Sequence, residues 1–247
     1  MRIAAIGDIH GNLDNLQELY RRLEYESIDA IYHLGDIIDR GPQVYEVLQF
    51  CMEKKLKGVM GNHEGALISK HFDKNRPPKN EDKLKSYYAI KDCPGALEYL
   101  KSLPHIIVLE ELQLIMVHAG VDPLKPIENQ NRMCSYVSMV NAEQKGSSRW
   151  WGIDRQGNCE EENRKKGWVR WYELYDFPYH VVHGHTTHRD PTVSMFNHSP
   201  YYRVAVDTGS WYTGMLTAAI FDERGLMKFV STPRLREPSY FEIISSS

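Results

Sequence analysis

The sequence predicts an α/β fold. Short apolar runs alternate with stretches of helical periodicity in the first third, three of those runs end in a glycine followed by a polar side chain, and the last third returns to strand-like runs. The chain has 247 residues and is 42% hydrophobic, enough to fill the core of one large domain.

Ile3–Ile6 reads as a buried strand that stops at Gly7-Asp8. Asn12 is a good helix N-cap, and Leu13, Leu16, Leu19, Tyr20 and Leu23 follow at helical spacing. A second strand over 30–34 stops at Gly35-Asp36. Pro42 suits a first helical residue, ahead of Val44, Val47 and Leu48 on one face. A third strand over 58–60 stops at Gly61-Asn62. Ligands in open α/β sheets sit beyond the carboxyl ends of the strands, so these three endings are expected to converge. Residues 71–86 are charged and carry two prolines, which predicts an exposed excursion, cap-like across about 71–95. Ile106–Leu109 and 112–117 form a hairpin pattern turning at Glu110-Glu111. Residues 141–167 are polar and loop-like, bracketed by Trp150-Trp151 and by Trp168 and Trp171, and define a second excursion near 141–175. Val181-Val182, 202–206, 215–221 and 227–230 read as strands, with a turn at 222–225. No repeat interrupts this order, and a single domain over 1–247 is the simplest organisation.

Composition excludes several function classes. A formal net charge of -3 does not suit a coat for a nucleic acid polymer or an anionic membrane surface. No run approaches the ~20 apolar residues of a membrane span, and the apolar run before Asp8 is too short for a signal peptide. Cys51, Cys93, Cys134 and Cys159 are scattered without a C-x-x-C pair, the pattern of reduced thiols in a cytoplasmic protein.

Five short segments carry the chemistry: GDIHG (7–11), GDIIDRG (35–41), GNHE (61–64), HAG (118–120) and HGHT (183–186). They supply oxygen and imidazole donors, each beside a glycine that allows close backbone approach. If residues 8–10 are extended, Asp8 and His10 point to the same side and can grip one ion. Asp36 can bridge two ions, Asn62 adds an amide oxygen, and His118 and His185 arrive from later strands. In an extended chain, Asn62 would face metal while His63 faces substrate. Two bare carboxylates would repel phosphate; two divalent cations reverse the sign of the pocket and stabilise attacking and leaving oxygens. His33 reads as a satisfied core histidine, His183 as a neighbour of the ligands, and Asp207 as a turn residue or a partner behind them.

This set resembles the phosphoprotein phosphatase family of the calcineurin-like metallophosphoesterases, its bacterial serine/threonine phosphatase and diadenosine tetraphosphatase branch included. The resemblance implies a four-layer sandwich in which helices flank two central mixed β-sheets. It implies a first metal held by Asp8, His10 and Asp36 and a second held by Asp36, Asn62, His118 and His185, with manganese first and iron or zinc also suited. Many metallophosphoesterases end the last motif GHxH; Thr187 stands at that final position here, which favours the phosphoprotein phosphatase subgroup. His63 would be the general acid, Asp39 its orienting carboxylate, and Arg40 a phosphate clamp beside Asn62. Arg170 is the first candidate for a second phosphate-binding arginine and Arg149 the other. The implied reaction is in-line hydrolysis by metal-bound hydroxide without a covalent intermediate. A phosphorylated protein is narrowly the preferred substrate. A dinucleoside polyphosphate is the alternative, suggested by the alanine of HAG and by tryptophans able to stack on a base. A binding module that has lost catalysis would lack one of these residues, and none is missing.

Overall fold

Two five-stranded mixed sheets form the centre of the molecule, ordered β13-β12-β1-β2-β3 and β10-β11-β9-β5-β4. The computed structural model describes residues 1–137, 139–141, 146–148 and 166–236. In the first sheet, β1 (Ile3–Ile6) lies parallel to β2 (Ala30–His33), which lies parallel to β3 (Lys57–Gly58); β12 (Thr217–Asp222) pairs antiparallel with β1, and β13 (Gly225–Ser231) with β12. In the second, β5 (Leu114–Val117), β9 (His180–His183) and β11 (Tyr202–Ala205) are parallel, while β4 (Ile106–Leu109) and β10 (Thr192–Met195) close the edges antiparallel.

The period-2 alternation of β1 shows how the layers stack. Ile3 and Ala5 join Ala219 and Phe221 of the same sheet against Leu114, Met116, Val182 and Val204 of the other, so these residues weld sheet to sheet. Ala4 and Ile6 point the opposite way, onto α1 (Leu13–Leu23) and α2 (Val44–Glu53) through Leu16, Leu19, Val47 and Leu48. The outer face of the second sheet packs Ile115, Val117 and Val181 against Val140, Trp171, Tyr175 and Phe196. There the cover is a small antiparallel sheet of β6 (Met139–Asn141), β7 (Gly146–Ser148) and β8 (Trp168–Arg170), together with short helical turns.

Local chemistry explains the boundaries. Asn12 caps α1 as expected, accepting the Asn15 N–H. Pro42 falls two residues before α2, with Gln43 as N-cap, because the chain is still turning past Gly11, whose carbonyl accepts the Gln43 N–H at 2.9 Å. The expected turn at 222–225 is a tight hairpin, with Asp222 paired to Gly225 (φ 99°). The excursion expected near 71–95 is corrected over its second half. There α4 (Glu81–Asp92) and α5 (Ala96–Ser102) place Tyr87, Ile90, Cys93, Ala96 and Leu100 in the core with α2, since the apolar face lies among charges that point outward. Cys51, Cys93 and Cys134 are free and buried; Cys159 lies outside the described residues. Among the described residues, no helix is long and apolar enough to cross a membrane.

Leu16 is fully buried between α1 and the first sheet. Leu16→Ala is expected to destabilise the chain by about 2–5 kcal/mol, read as a lower urea midpoint with an unchanged slope.

Candidate metal centre

The segments singled out in the sequence all follow the carboxyl ends of parallel strands. Asp8 and His10 follow β1, Asp36 follows β2 and Asn62 follows β3; His118 and His185 follow β5 and β9. Parallel alignment within both sheets brings these endings to one rim.

The backbone there is not extended. His10, Asp36, Asp39, Arg40 and His185 have positive φ of 49°, 48°, 65°, 66° and 67°, a region non-glycine residues enter only when their surroundings hold them. The expected same-side grip of Asp8 and His10 on an extended segment is therefore corrected. The N–H groups of Ile9 and His10 both donate to the Asp36 carbonyl at 3.1 and 2.9 Å, folding the first segment onto the second. The alternation expected at Asn62-His63 is corrected too, because Asn62 starts a helix, α3 (Asn62–Leu67). Its cause is Glu64, fully buried, whose carboxylate accepts the N–H groups of Gly61 and Asp36 through Oε2 (3.0 and 2.9 Å) and of Ile37 and Ile38 through Oε1 (2.9 and 3.2 Å). Gly35 must be glycine in this layout: φ is 91°, and a Cβ would stand 2.5 Å from the Gly61 nitrogen and 3.0 Å from His118 Nδ1.

Around this backbone the donors converge on Asp36. Its Oδ2 lies 3.2 Å from His118 Nε2, 3.8 Å from His63 Nε2 and 3.9 Å from His10 Nε2. His10 Nδ1 donates to the Ile38 carbonyl at 2.8 Å and His118 Nδ1 to the Leu34 carbonyl at 2.7 Å, so both rings turn Nε2 toward the centre. His118 Nε2 also lies 2.9 Å from Asn62 Oδ1 and 3.0 Å from His185 Nδ1. One ring proton cannot serve Asp36, Asn62 and His185 together, whereas a divalent cation suits this mix of carboxylate, amide and imidazole donors. Two groups result, His10–Asp36–His63 and Asp36–His118–His185, each with ligating atoms within 4.8 Å of one another, and Asp36 belongs to both. Asp8 lies outside both groups, its Oδ1 accepting the His185 N–H at 3.0 Å.

The flanking residues have distinct places. His63 Nδ1 donates to Asp39 Oδ2 at 2.6 Å, the His63 N–H donates to Asp36 Oδ1 at 2.9 Å, and its ring stands edge-on to His10 at 4.9 Å. Burial dominates the lowering of His10 and Asp36 the raising of His63; the nearby Arg40 charge makes a smaller contribution against a proton on each. Thr187, buried where other metallophosphoesterases carry histidine, donates to Asp207 Oδ2 at 2.7 Å, and the Asp207 charge bears on Asp8. Asp207 thus joins Thr187 as well as making its turn-closing bond from the Gly209 N–H. His183 is engaged on both nitrogens, by Arg203 and by the Gly184 carbonyl, as a neighbour would be. His33 lies in the core, bonded to Tyr99 and the Gly35 N–H. Arg170 lies on β8, and its charge bears on His188 and Arg203. Arg149, Trp150 and Trp151 lie outside the described residues. Trp171 is core, packed on His183, Tyr175 and Phe196, so it does not stack on a ligand. Sequence reading passed over Glu64, although its place three residues after the Gly61 N-cap is the acidic half of a capping box. It also passed over Ser210 and Trp211, which have no motif signal.

The electrostatics follow from burial and proximity. Burial lifts Asp36, but the imidazoles of His118 and His63 outweigh it and hold the carboxyl well below its usual range. Asp8 is pushed well up by burial and by the Asp207 and Asp36 charges. Burial opposes charge on His118, yet Asp36 and Asp8 raise it to about 10. Burial likewise opposes charge on His63, and Asp36 and Asp39 overcome it, so the pKa of the ring is raised. His10, lowered to about 3 by burial and the His63 charge, and His185, lowered well below its usual value by burial and the His118 charge, are neutral donors.

Comparison with known proteins agrees with this architecture. Residues 1–224 match the calcineurin-like phosphoesterase family. Curated relatives include the symmetrical bis(5'-nucleosyl)-tetraphosphatases of Hamiltonella defensa (36% identical over 123 residues, 48% of this chain and 44% of that one) and Klebsiella pneumoniae (33% over 140 residues, 55% and 49%). The chain spans about half the length of the curated relatives it matches. Similar solved structures include one assigned as a diadenosine tetraphosphatase (TM-score 0.72, 22% identity, 94% of this chain and 93% of that one) and a serine/threonine phosphatase from Saccharomyces cerevisiae (TM-score 0.52, 15% identity, 96% and 81%). At these identities the structures show a shared fold. A match across nine-tenths of the sequence, on this sandwich and this rim of donors, makes the chain a member of the calcineurin-like phosphoesterase family.

Proposed function

We propose that this chain hydrolyses phosphate esters or anhydrides at a centre of two divalent metal ions. The observation that carries the reading is Asp36, one buried carboxylate shared by two groups of ligating atoms, in one of which His63 is held by Asp39. The proposed ligands are Asp8, His10 and Asp36 for one ion and Asp36, Asn62, His118 and His185 for the other, manganese first and iron or zinc also compatible. When bound, such a pair supplies Lewis acidity and a nucleophile from water at neutral pH.

The chain's own residues do the rest. Arg40 presents paired N–H donors to phosphate oxygens, and Asn62 orients the phosphoryl group at the start of α3. His63 keeps Nδ1 on Asp39 and so turns Nε2 toward the centre, where it passes a proton to the departing oxygen. Asp39 keeps that ring oriented and charged. Among substrates, a dinucleoside polyphosphate takes first place over a phosphorylated protein, reversing the preference drawn from sequence, because the curated relatives are named tetraphosphatases. The protein-phosphatase reading keeps the support of the motifs. A single domain and a cytoplasmic setting are proposed with it, the latter on the buried free thiols of Cys51, Cys93 and Cys134.

Mn²⁺-dependent hydrolysis of p-nitrophenyl phosphate is expected, abolished by chelator and by Asp36→Asn; activity that survives both ends the two-metal reading. His63→Ala should lower kcat roughly 10²–10⁴-fold on an alkyl phosphate and far less on p-nitrophenyl phosphate, whose leaving group needs no proton. Equal losses on the two substrates would remove His63 from the acid role. Because His118 is raised to about 10 and an imidazolium cannot ligate a cation, metal uptake should release protons and weaken as pH falls. Calorimetry in buffers of different ionisation enthalpy reads that release. Rates on diadenosine tetraphosphate and on a phosphoserine peptide, compared in parallel with Mn²⁺, decide the substrate; the proposal expects the first to exceed the second.

A further inference from the structure

Arg40 leaves the main chain from a left-handed residue, φ 66°, just after Asp39. Its side chain is long and flexible, so a clamp built on it needs something to fix its direction. The Arg40 Cζ lies 5.0 Å from the centroid of the Trp211 ring, within the range of cation–π attraction. Trp211 is 39% exposed and belongs to none of the three apolar clusters formed among the described residues, so their packing does not account for it.

Its carrier is nevertheless firmly placed. Trp211 sits on α6 (Ser210–Thr213), and Ser210 Oγ donates to the Asp8 carbonyl at 2.7 Å, with the Ile9 carbonyl at 3.0 Å. Asn12 Nδ2 donates to the Ser210 carbonyl at 3.1 Å, and the Tyr212 ring meets the indole edge-on at 4.9 Å. The indole is therefore fixed relative to the Asp8–His10 segment, while Arg40 belongs to the loop that carries Asp36.

We propose that Trp211 is a positioning residue that holds the Arg40 guanidinium over the metal centre for phosphate binding. This rests on the phosphate-clamp reading of Arg40. A cation–π contact made through the guanidinium face would leave its in-plane N–H donors available to a ligand. Indole offers the strongest face for that purpose. The stack also joins two loops that carry different ligands, so the clamp moves with the centre it serves.

The test is a double-mutant cycle with inorganic phosphate on the Mn²⁺-loaded protein, Trp211→Leu and Trp211→Tyr each made in the wild type and in Arg40→Met. Trp211→Leu is expected to weaken phosphate binding, read by calorimetry and by competitive inhibition, and to raise KM for p-nitrophenyl phosphate, roughly 5- to 30-fold. It should change kcat less and leave the thermal midpoint unmoved, and Trp211→Tyr should restore most of the loss. In the Arg40→Met background, Trp211→Leu should add nothing. A loss that persists in full there places Trp211 against the ligand itself and overturns the proposal, as does unchanged phosphate affinity in Trp211→Leu. Wild-type protein that binds phosphate with this coupling yet hydrolyses nothing would refute the proposed function and leave the positioning role standing. Intact hydrolysis without coupling refutes the positioning role alone.

Discussion

The buried carboxylate of Glu64 is the constraint on which the rest of the centre depends. Four backbone N–H groups from two loops end on its two oxygens, at Gly61, Asp36, Ile37 and Ile38. No strand pairing serves those groups, because β2 has ended at His33 and β3 at Gly58. Left unpaired and buried, each would cost about 1–3 kcal/mol. By collecting them, Glu64 holds Asp36 in a left-handed conformation and starts α3, on which Asn62 and His63 ride. Burial and the Asp36 carboxylate raise the Glu64 pKa to about 7, so concentrating acceptors behind the centre has a local cost in charge repulsion.

Backbone strain at the rim has the same logic. Five of the proposed site residues adopt positive φ, and four of them are tied by bonds from another segment: His10 and Asp36 to each other, Asp39 to Ser86 and His185 to Asp8. The segments thus over-determine one another, the condition under which such conformations persist. Chemistry follows from that stiffness. His10 and His118 have their rings fixed by the Ile38 and Leu34 carbonyls, so both turn Nε2 toward Asp36.

The charge pattern completes the design. Asp8, Asp36, Asp39, Glu64 and Asp207 are all buried near one rim, with His10, His63, His118 and His185 interleaved. Acids and imidazoles at this density perturb each other in both directions, which is the signature of a functional cluster more than of a structural ion pair. Arg40 brings a positive charge near this acidic group and lies against the Trp211 ring.

Sequence by itself determined the α/β class, the strands that end in glycine and a polar residue, and the side chains proposed as ligands, since glycine-polar endings and period-2 apolar runs are local signals. It also identified His33 as core and Asp222–Gly225 as a turn. What it misjudged were geometries settled by contacts distant in the chain. Extended backbone at Asp8–His10 gives way because the Asp36 carbonyl, in another loop, captures two N–H groups. The charged stretch after residue 71 leads into helices that fill the core, because their apolar faces find α2. Trp171 is buried against His183, whereas Trp211, with no motif around it, comes to lie beside Arg40. Only the tertiary structure could decide these, because each depends on which loops the two sheets bring within a few ångströms of one another.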